Sequence, residues 1–270
     1  DRFYVLNMFG LYSQREIGDK QNVKQLKLND YKIRERFIDF VNVFNMGIDE
    51  KTNSIIVNKI EEECTKFKDR SAEFQKGFTG TAPIPYTILA GTYLVDCEPK
   101  IFFEWKREDE KFIQLSTKKK ANFPELKIKE MDNPNVNAES IIVAISTTRR
   151  IKKHQLKDFG EQDIIEIYLD DCKDNNITYI KQLQNYRKVI LDELEALGRK
   201  NYPHLNQINL VASIPSCMSL EIGRMIAQNN NRVKKIVAYH FVNQGTKLYP
   251  FGIAVTESQG QYKKGELIQN

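Results

Sequence analysis

An α/β fold is what the sequence predicts, and three observations carry it. Short apolar runs rich in β-branched and aromatic residues alternate with segments whose apolar residues recur at helical spacing. Two strand-to-helix junctions repeat an Ile-Pro turn and then a glycine inside the helix. A composition of 41% apolar and 29% charged residues over 270 positions suits a folded chain of one large or two small domains, and excludes disorder and a disulfide miniprotein.

Taken in order, residues 1–70 are rich in long polar side chains and read as a helical leader or connector. Ile33, Phe37, Phe40, Val41 and Phe44 recur at steps of three and four, and Ile56, Ile60, Cys64 and Phe67 repeat that spacing. From residue 71 the pattern changes. The runs 100–105 (KIFFEW), 140–146 (SIIVAIS), 208–213 (INLVAS) and 233–242 (VKKIVAYHFV) suit strands buried on both faces, with further strands expected at 164–169 and 251–256. Between them, Ile180, Leu183, Ile190, Leu194 and Leu197 form one stripe of a helix over 179–200, which Gly198 and Pro203 help to end.

The net charge is +5, too mild to indicate wrapping of duplex DNA. Its distribution is uneven: residues 200–270 hold eight basic side chains and three acidic ones, so the whole excess lies there. Two readings stand, a solvated lysine face or a positive field for a small anion. Cys64, Cys97, Cys172 and Cys217 have no paired spacing and read as reduced, buried fillers; His154, His204 and His240 are scattered, so neither a metal nor a cofactor is expected. The phosphate loop Gly-x-x-x-x-Gly-Lys-Ser/Thr, the Gly-x-Ser-x-Gly elbow and Gly-x-Gly-x-x-Gly are all missing from the sequence, so no catalytic residue is assigned. No apolar run has the length a bilayer span requires, and the start Asp1-Arg2-Phe3-Tyr4 lacks the layout of a signal peptide. The expected location is cytoplasmic, free or as the cytoplasmic part of a membrane-anchored effector. Because the chain does not begin with Met, an upstream module is also expected.

The internal echo sharpens the fold class. Thr81-Ala82-Pro83-Ile84-Pro85-Tyr86 enters an apolar helix with Gly91, and Ala212-Ser213-Ile214-Pro215-Ser216 enters one with Gly223; the glycines follow Pro85 and Pro215 by six and eight residues. Proline is tolerated in a first helical turn, and the glycines are expected to let helix and sheet backbones approach closely. Either these are two unrelated strand-turn-helix units or two related Rossmann-like halves joined in one chain.

The stretch Phe78-Thr79-Gly80-Thr81-Ala82-Pro83-Ile84-Pro85, then Leu210-Val211-Ala212-Ser213-Ile214-Pro215-Ser216 with Ile222-Gly223-Arg224, then Val237-Ala238-Tyr239-His240-Phe241, resembles the SAVED domain. The resemblance covers residues 71–270 and implies two fused CARF-like halves, at about 71–172 and 173–270, with the leader outside it. It further implies a sensor of cyclic oligonucleotides in bacterial anti-phage defence (CBASS or type III CRISPR effectors), with no enzymatic activity in this piece. Its partners would be a cyclic di-, tri- or tetranucleotide, further copies in a ligand-induced homo-oligomer, and an upstream effector such as an endonuclease, a protease, a TIR domain or membrane helices.

Candidate binding residues follow from the chemistry of strand ends. In open α/β sheets, ligands lie beyond the carboxyl ends of strands, where small turn residues expose N–H groups and a helix N-terminus favours phosphate. Thr79, Gly80, Thr81 and Ala82 in one half, and Ala212, Ser213, Ile214 and Ser216 in the other, form the expected floor of the site; turn formation and helix capping are their plain alternative. Trp105, Lys106 and Arg107 offer an aromatic plane and two cations, Thr147, Thr148, Arg149 and Arg150 offer hydroxyls and guanidinium groups, and His240 and Tyr249 offer ring contacts. Each of these has an ordinary structural reading as core or solvated charge. Two functional rivals also stand: a phosphodiesterase using His240 or His154, and a protein-interaction scaffold docking through its leader.

Overall fold

The computed structural model describes residues 1–13 and 15–270. It opens on strand β1 (Arg2–Phe9), whose run RFYVLNMF is buried from Phe3 onward, as a strand sandwiched on both faces must be. Helix α1 (Lys20–Gln25), strand β2 (Lys32–Asp39), and helices α2 (Val41–Asn45) and α3 (Glu50–Ser71) follow, then strand β3 (Gln75–Gly80), helix α4 (Ile84–Thr92), and strands β4 (Ile101–Lys106) and β5 (Lys111–Gln114). These strands form one sheet in the order β2-β1-β3-β4-β5, parallel except for the β4–β5 hairpin.

The remaining chain builds a second sheet. It contains strands β6 (Lys127–Lys129), β7 (Ser140–Ser146) and β8 (Ile164–Tyr168), helix α5 (Ile180–Lys200), strand β9 (Gln207–Ser213), helix α6 (Ser216–Gln228), and strands β10 (Lys235–His240), β11 (Phe251–Ala254) and β12 (Leu267–Gln269). The order is β12-β11-β10-β9-β7-β8-β6. With the edge strands β6 and β12 set aside, it repeats the first sheet: β7 stands for β1, β8 for β2, α5 for α3, β9 for β3, α6 for α4, β10 for β4 and the antiparallel β11 for β5. The two junctions of the echo are therefore equivalent elements of two related halves.

Three expectations are corrected here. Residues 1–70 are not a helical leader: β1 and β2 belong to the first sheet, β1 lying between β2 and β3. Ile33 and Phe37, four apart, also satisfy a period of two. In the strand, Arg36 on the other face pairs with Glu63 of α3, and Glu35 accepts from Asn7 Nδ2 at 3.1 Å, so the charged positions are satisfied without a helix. Of that segment only Val41–Asn45 is helical, whereas the second expected helix is α3, with Ile56, Ile60, Cys64 and Phe67 buried and a capping box between Asp49 and Thr52. The boundary between the halves also moves. The run 140–146 pairs with β9 in register Ser146↔Ser213, so it opens the second half instead of closing the first.

One continuous core joins the halves, running from Leu6, Phe78 and Phe102 of the first sheet through Tyr86, Ile88 and Leu220 to Leu210, Ala238 and Ile253 of the second. Separate apolar clusters cover the outer faces, around Phe3, Phe103 and Trp105 on the first sheet and Ile142, Val211 and Tyr249 on the second.

Candidate ligand site at the seam of the two halves

Helices α4 and α6 cross in backbone contact at the seam. A Cβ on Gly91 would lie 2.1 Å from the Leu220 carbonyl oxygen, and one on Gly223 would lie 1.9 Å from that of Ile88, so neither position admits any side chain. The glycines thus serve helix–helix approach, not the helix–sheet approach expected from sequence. The structurally matching prolines are the two N-cap residues, Pro83 and Pro215, and counted from these both glycines stand eight residues on. The crossing brings the carboxyl ends of both sheets to one place: the end of β4 meets the start of α6, and His240 at the end of β10 packs against Phe44 of α2, ring centroids 5.4 Å apart.

At the β3–α4 turn, Thr79, Thr81 and Ala82 are buried and Gly80 is half-buried. Thr81 is a fastening point for the loop after β1: its N–H donates to the Met8 carbonyl at 2.8 Å, its carbonyl accepts from Leu11 N–H at 3.0 Å, and its hydroxyl donates to the Tyr12 carbonyl. The equivalent β9–α6 turn does the same work. The Ser213 carbonyl accepts from Thr147 N–H at 3.0 Å and Thr148 N–H at 2.9 Å, and its Oγ accepts from Arg149 N–H at 3.1 Å. Ile214 is buried, Thr148 half-buried and Arg149 exposed. Thr147 is fully buried, and its Oγ1 has no hydrogen-bond partner among the described residues.

The N-terminus of α6 already holds an acidic side chain. Glu104 of β4, from the other half, accepts from Cys217 N–H through Oε1 at 2.8 Å and from Ser216 Oγ–H at 3.2 Å on Oε1 and 3.3 Å on Oε2. Burial pushes its carboxyl above the ordinary range, against the lowering effect of these hydrogen bonds, and pushes the neighbouring Cys217 thiol well up. Pairing registers identify the counterpart of Glu104. Phe78 faces Phe102 and Leu210 faces Ala238, so two residues further on Glu104 and His240 are equivalent. His240 lies between Phe44 and Phe251, and burial lowers its pKa to about 4, so the ring is neutral at physiological pH.

The other sequence-chosen residues divide. Arg150 is engaged away from solvent charge, 2.9 Å from Glu166 and stacked 3.2 Å over Tyr168. Lys106 pairs with Asp109 at 2.8 Å, and Arg107 donates to the Tyr12 hydroxyl at 3.3 Å. Trp105 lies on the outer face of its sheet against Phe112, with Arg15 over its ring, and so points away from α6. Tyr249 is buried in the outer cluster of the second sheet with Phe159. The structure therefore gathers Gly80, Thr81, Thr147, Thr148, Arg149, Ser213, Ile214, Ser216 and His240 around the strand ends, and sets Trp105, Arg150 and Tyr249 on outer faces. Glu104 was missed, although a lone acid inside the apolar run KIFFEW is a signal in itself. A recess of about 220 Å³ lined by Ala144, Ile151, Leu156 and Glu166 lies on the outer face of the second sheet, apart from the seam.

Comparison with known proteins agrees with this architecture. No curated protein matches the chain. Among solved structures, the Acinetobacter baumannii Cap4 SAVED/CARF-domain containing receptor with the cyclic trinucleotide 2′3′3′-cAAA superposes with a TM-score of 0.58 at 12% identity, over 92% of this chain and 50% of that one. The same receptor with 3′3′3′-cAAA gives 0.57 at 13% identity, over 92% and 50%, and without a named ligand 0.54 at 13%, over 92% and 48%. The chain spans about half the length of these structures, and at such identity the likeness speaks for the fold. The model of SAVED, the SMODS-associated and fused to various effectors sensor domain, matches residues 60–255. With two equivalent halves meeting at paired strand-to-helix turns and that match over most of its length, the chain belongs to the SAVED family of sensor domains.

Proposed function

We propose that this chain is the sensor part of a bacterial anti-phage effector and binds a cyclic oligonucleotide at the seam, where it meets the turns of both halves. The observation that carries the reading is the α4–α6 crossing at Gly91 and Gly223, which sets two equivalent topological switch points side by side. A cyclic oligonucleotide is itself a repeat of equivalent units, so a ring presented to two equivalent turns finds matching contacts on both. The receptor of the same fold was solved with cyclic trinucleotides. Thr81, Thr148, Arg149 and Ser213 are the contacts proposed for ribose and phosphate; Arg149 is an exposed cation whose side chain has no partner among the described residues, while Lys106 and Arg107 would have to leave theirs. A ligand that favours an assembling state would then drive head-to-tail association of copies and activate an effector module joined to this one.

Calorimetry with a panel of cyclic di-, tri- and tetranucleotides tests the reading, with chromatography of the recovered ligand. Saturable binding of one ring size without turnover supports it. Absence of binding across the panel refutes it, and turnover would make the protein an enzyme.

A further inference from the structure

The anion site expected at the N-terminus of α6 is filled from within by the Glu104 carboxyl group, and this changes what that end of the seam can receive. A phosphate placed there would meet a carboxyl group that already occupies the Cys217 N–H and Ser216 donors. The two oxygens of Glu104 are unequally used. Oε1 takes the short bond from Cys217 N–H, Oε2 takes the longer bond from the Ser216 hydroxyl, the Cys217 thiol also hydrogen-bonds the carboxyl, and the residue is only half-buried. A carboxylate oxygen accepts more than one hydrogen bond and donates none when ionised. Its counterpart in the other half, His240, is wedged between Phe44 and Phe251, so the two halves offer unlike chemistry at equivalent positions.

We propose that Glu104 is a base-reading residue of this site: Oε2 accepts a hydrogen bond from the exocyclic amine of a nucleobase, so the α6 end of the seam receives a base edge and not a phosphate. The assignment rests on the reading of the seam as a cyclic-oligonucleotide site. It selects adenine, cytosine or guanine, each of which carries an exocyclic amine, over uracil, which carries none. The Ser216 hydroxyl and Cys217 N–H are positioning groups in this account, since they hold the carboxylate in place.

The test is calorimetry on the wild-type chain and on Glu104→Gln with a homonucleotide panel. The tightest-binding ring is then compared with its counterpart lacking the amine: purine riboside for adenosine, pyrimidin-2-one riboside for cytidine, inosine for guanosine. A hydrogen bond to a charged acceptor corresponds to a preference of about tenfold to a hundredfold for the amine-bearing ring in the wild type. In Glu104→Gln the amide oxygen still accepts from Cys217 N–H but turns an NH₂ donor toward the base, so that preference should fall to about threefold or less. A wild-type preference for the uridine ring, or an amine preference that survives Glu104→Gln unchanged, overturns the assignment while leaving the binding site standing. Wild-type protein that binds no member of the panel overturns the functional reading and this assignment with it. Thermal melting of each variant checks that it folds. Should Glu104→Gln not fold, Glu104→Asp, which keeps the charge but withdraws it by one methylene, must show a reduced amine preference, and an unreduced one refutes the assignment.

Discussion

Replacing Gly223 by alanine probes the element on which the whole site depends. The added Cβ would sit 1.9 Å from the Ile88 carbonyl oxygen and 3.1 Å from the Cα of Gly91, backbone atoms that cannot rotate away as a side chain can. Relief requires the helices to part by about 1 Å, and a gap of that size forfeits about a quarter to a half of the dispersion energy of the atoms lining it. Overpacking of a core commonly costs about 1–3 kcal/mol, and a clash against backbone belongs at the upper end, so we expect a loss of about 3 kcal/mol. For a chain of this size that is a fall of about 6–12 °C in Tm. Gly198 in α5 is the control, because a Cβ there would meet only the flexible end of Lys234 at 3.1 Å. Gly198→Ala should gain about 0.5–1 kcal/mol through helix propensity. Urea unfolding and calorimetric titration of both variants form the assay. Gly223→Ala should lose stability and ligand affinity together, since parting the helices separates the two turns; a variant that melts and binds like the wild type would show that the crossing does not position the site.

Three further outcomes follow from the same geometry. As pH falls from about 6.5 to about 4, the unfolded chain protonates His240 while the folded one does not, so stability should drop by about 3 kcal/mol over that window; His240→Phe should flatten this limb in a pH series of melts, and an unchanged limb would contradict the burial argument. Glu104 acts with the opposite sign: its raised pKa means the folded state holds the proton longer, so stability declines as pH rises above the ordinary 4.5, and Glu104→Gln should remove that decline. Arg149→Ala should weaken ligand binding about tenfold and shallow its salt dependence, whereas Arg150→Ala should leave affinity within about threefold because Arg150 is held by Glu166 and Tyr168; the reverse order in salt titrations would misplace the site.

Much of the architecture was legible in the sequence, and the failures have physical causes. The runs SIIVAIS and INLVAS stand out because parallel strands are buried on both faces, and the stripe Leu183, Ile190, Leu194, Leu197 because α5 is buried on one. Strand β2 was read as a helix because residues four apart share a face in both geometries, and the pairing of Arg36 with Glu63, which reveals the strand, is a tertiary fact. The echo was visible but registered on Pro85 instead of Pro83, since only the helix caps show which proline matches Pro215. At the site, small turn residues were recognisable by type. Which cations and which helix end were already engaged was not, because Tyr12 meets Arg107 and Glu104 meets Cys217 only after the chain has folded back across long separations.

Hydrogen–deuterium exchange with and without the tightest-binding cyclic nucleotide reads whether one ligand touches the turns of both halves. Slowed exchange is expected at residues 80–84 and at 147–150 and 213–217 together, at saturating ligand. Protection confined to one half, or found on the outer face around Ala144 and Leu156 instead, would contradict it.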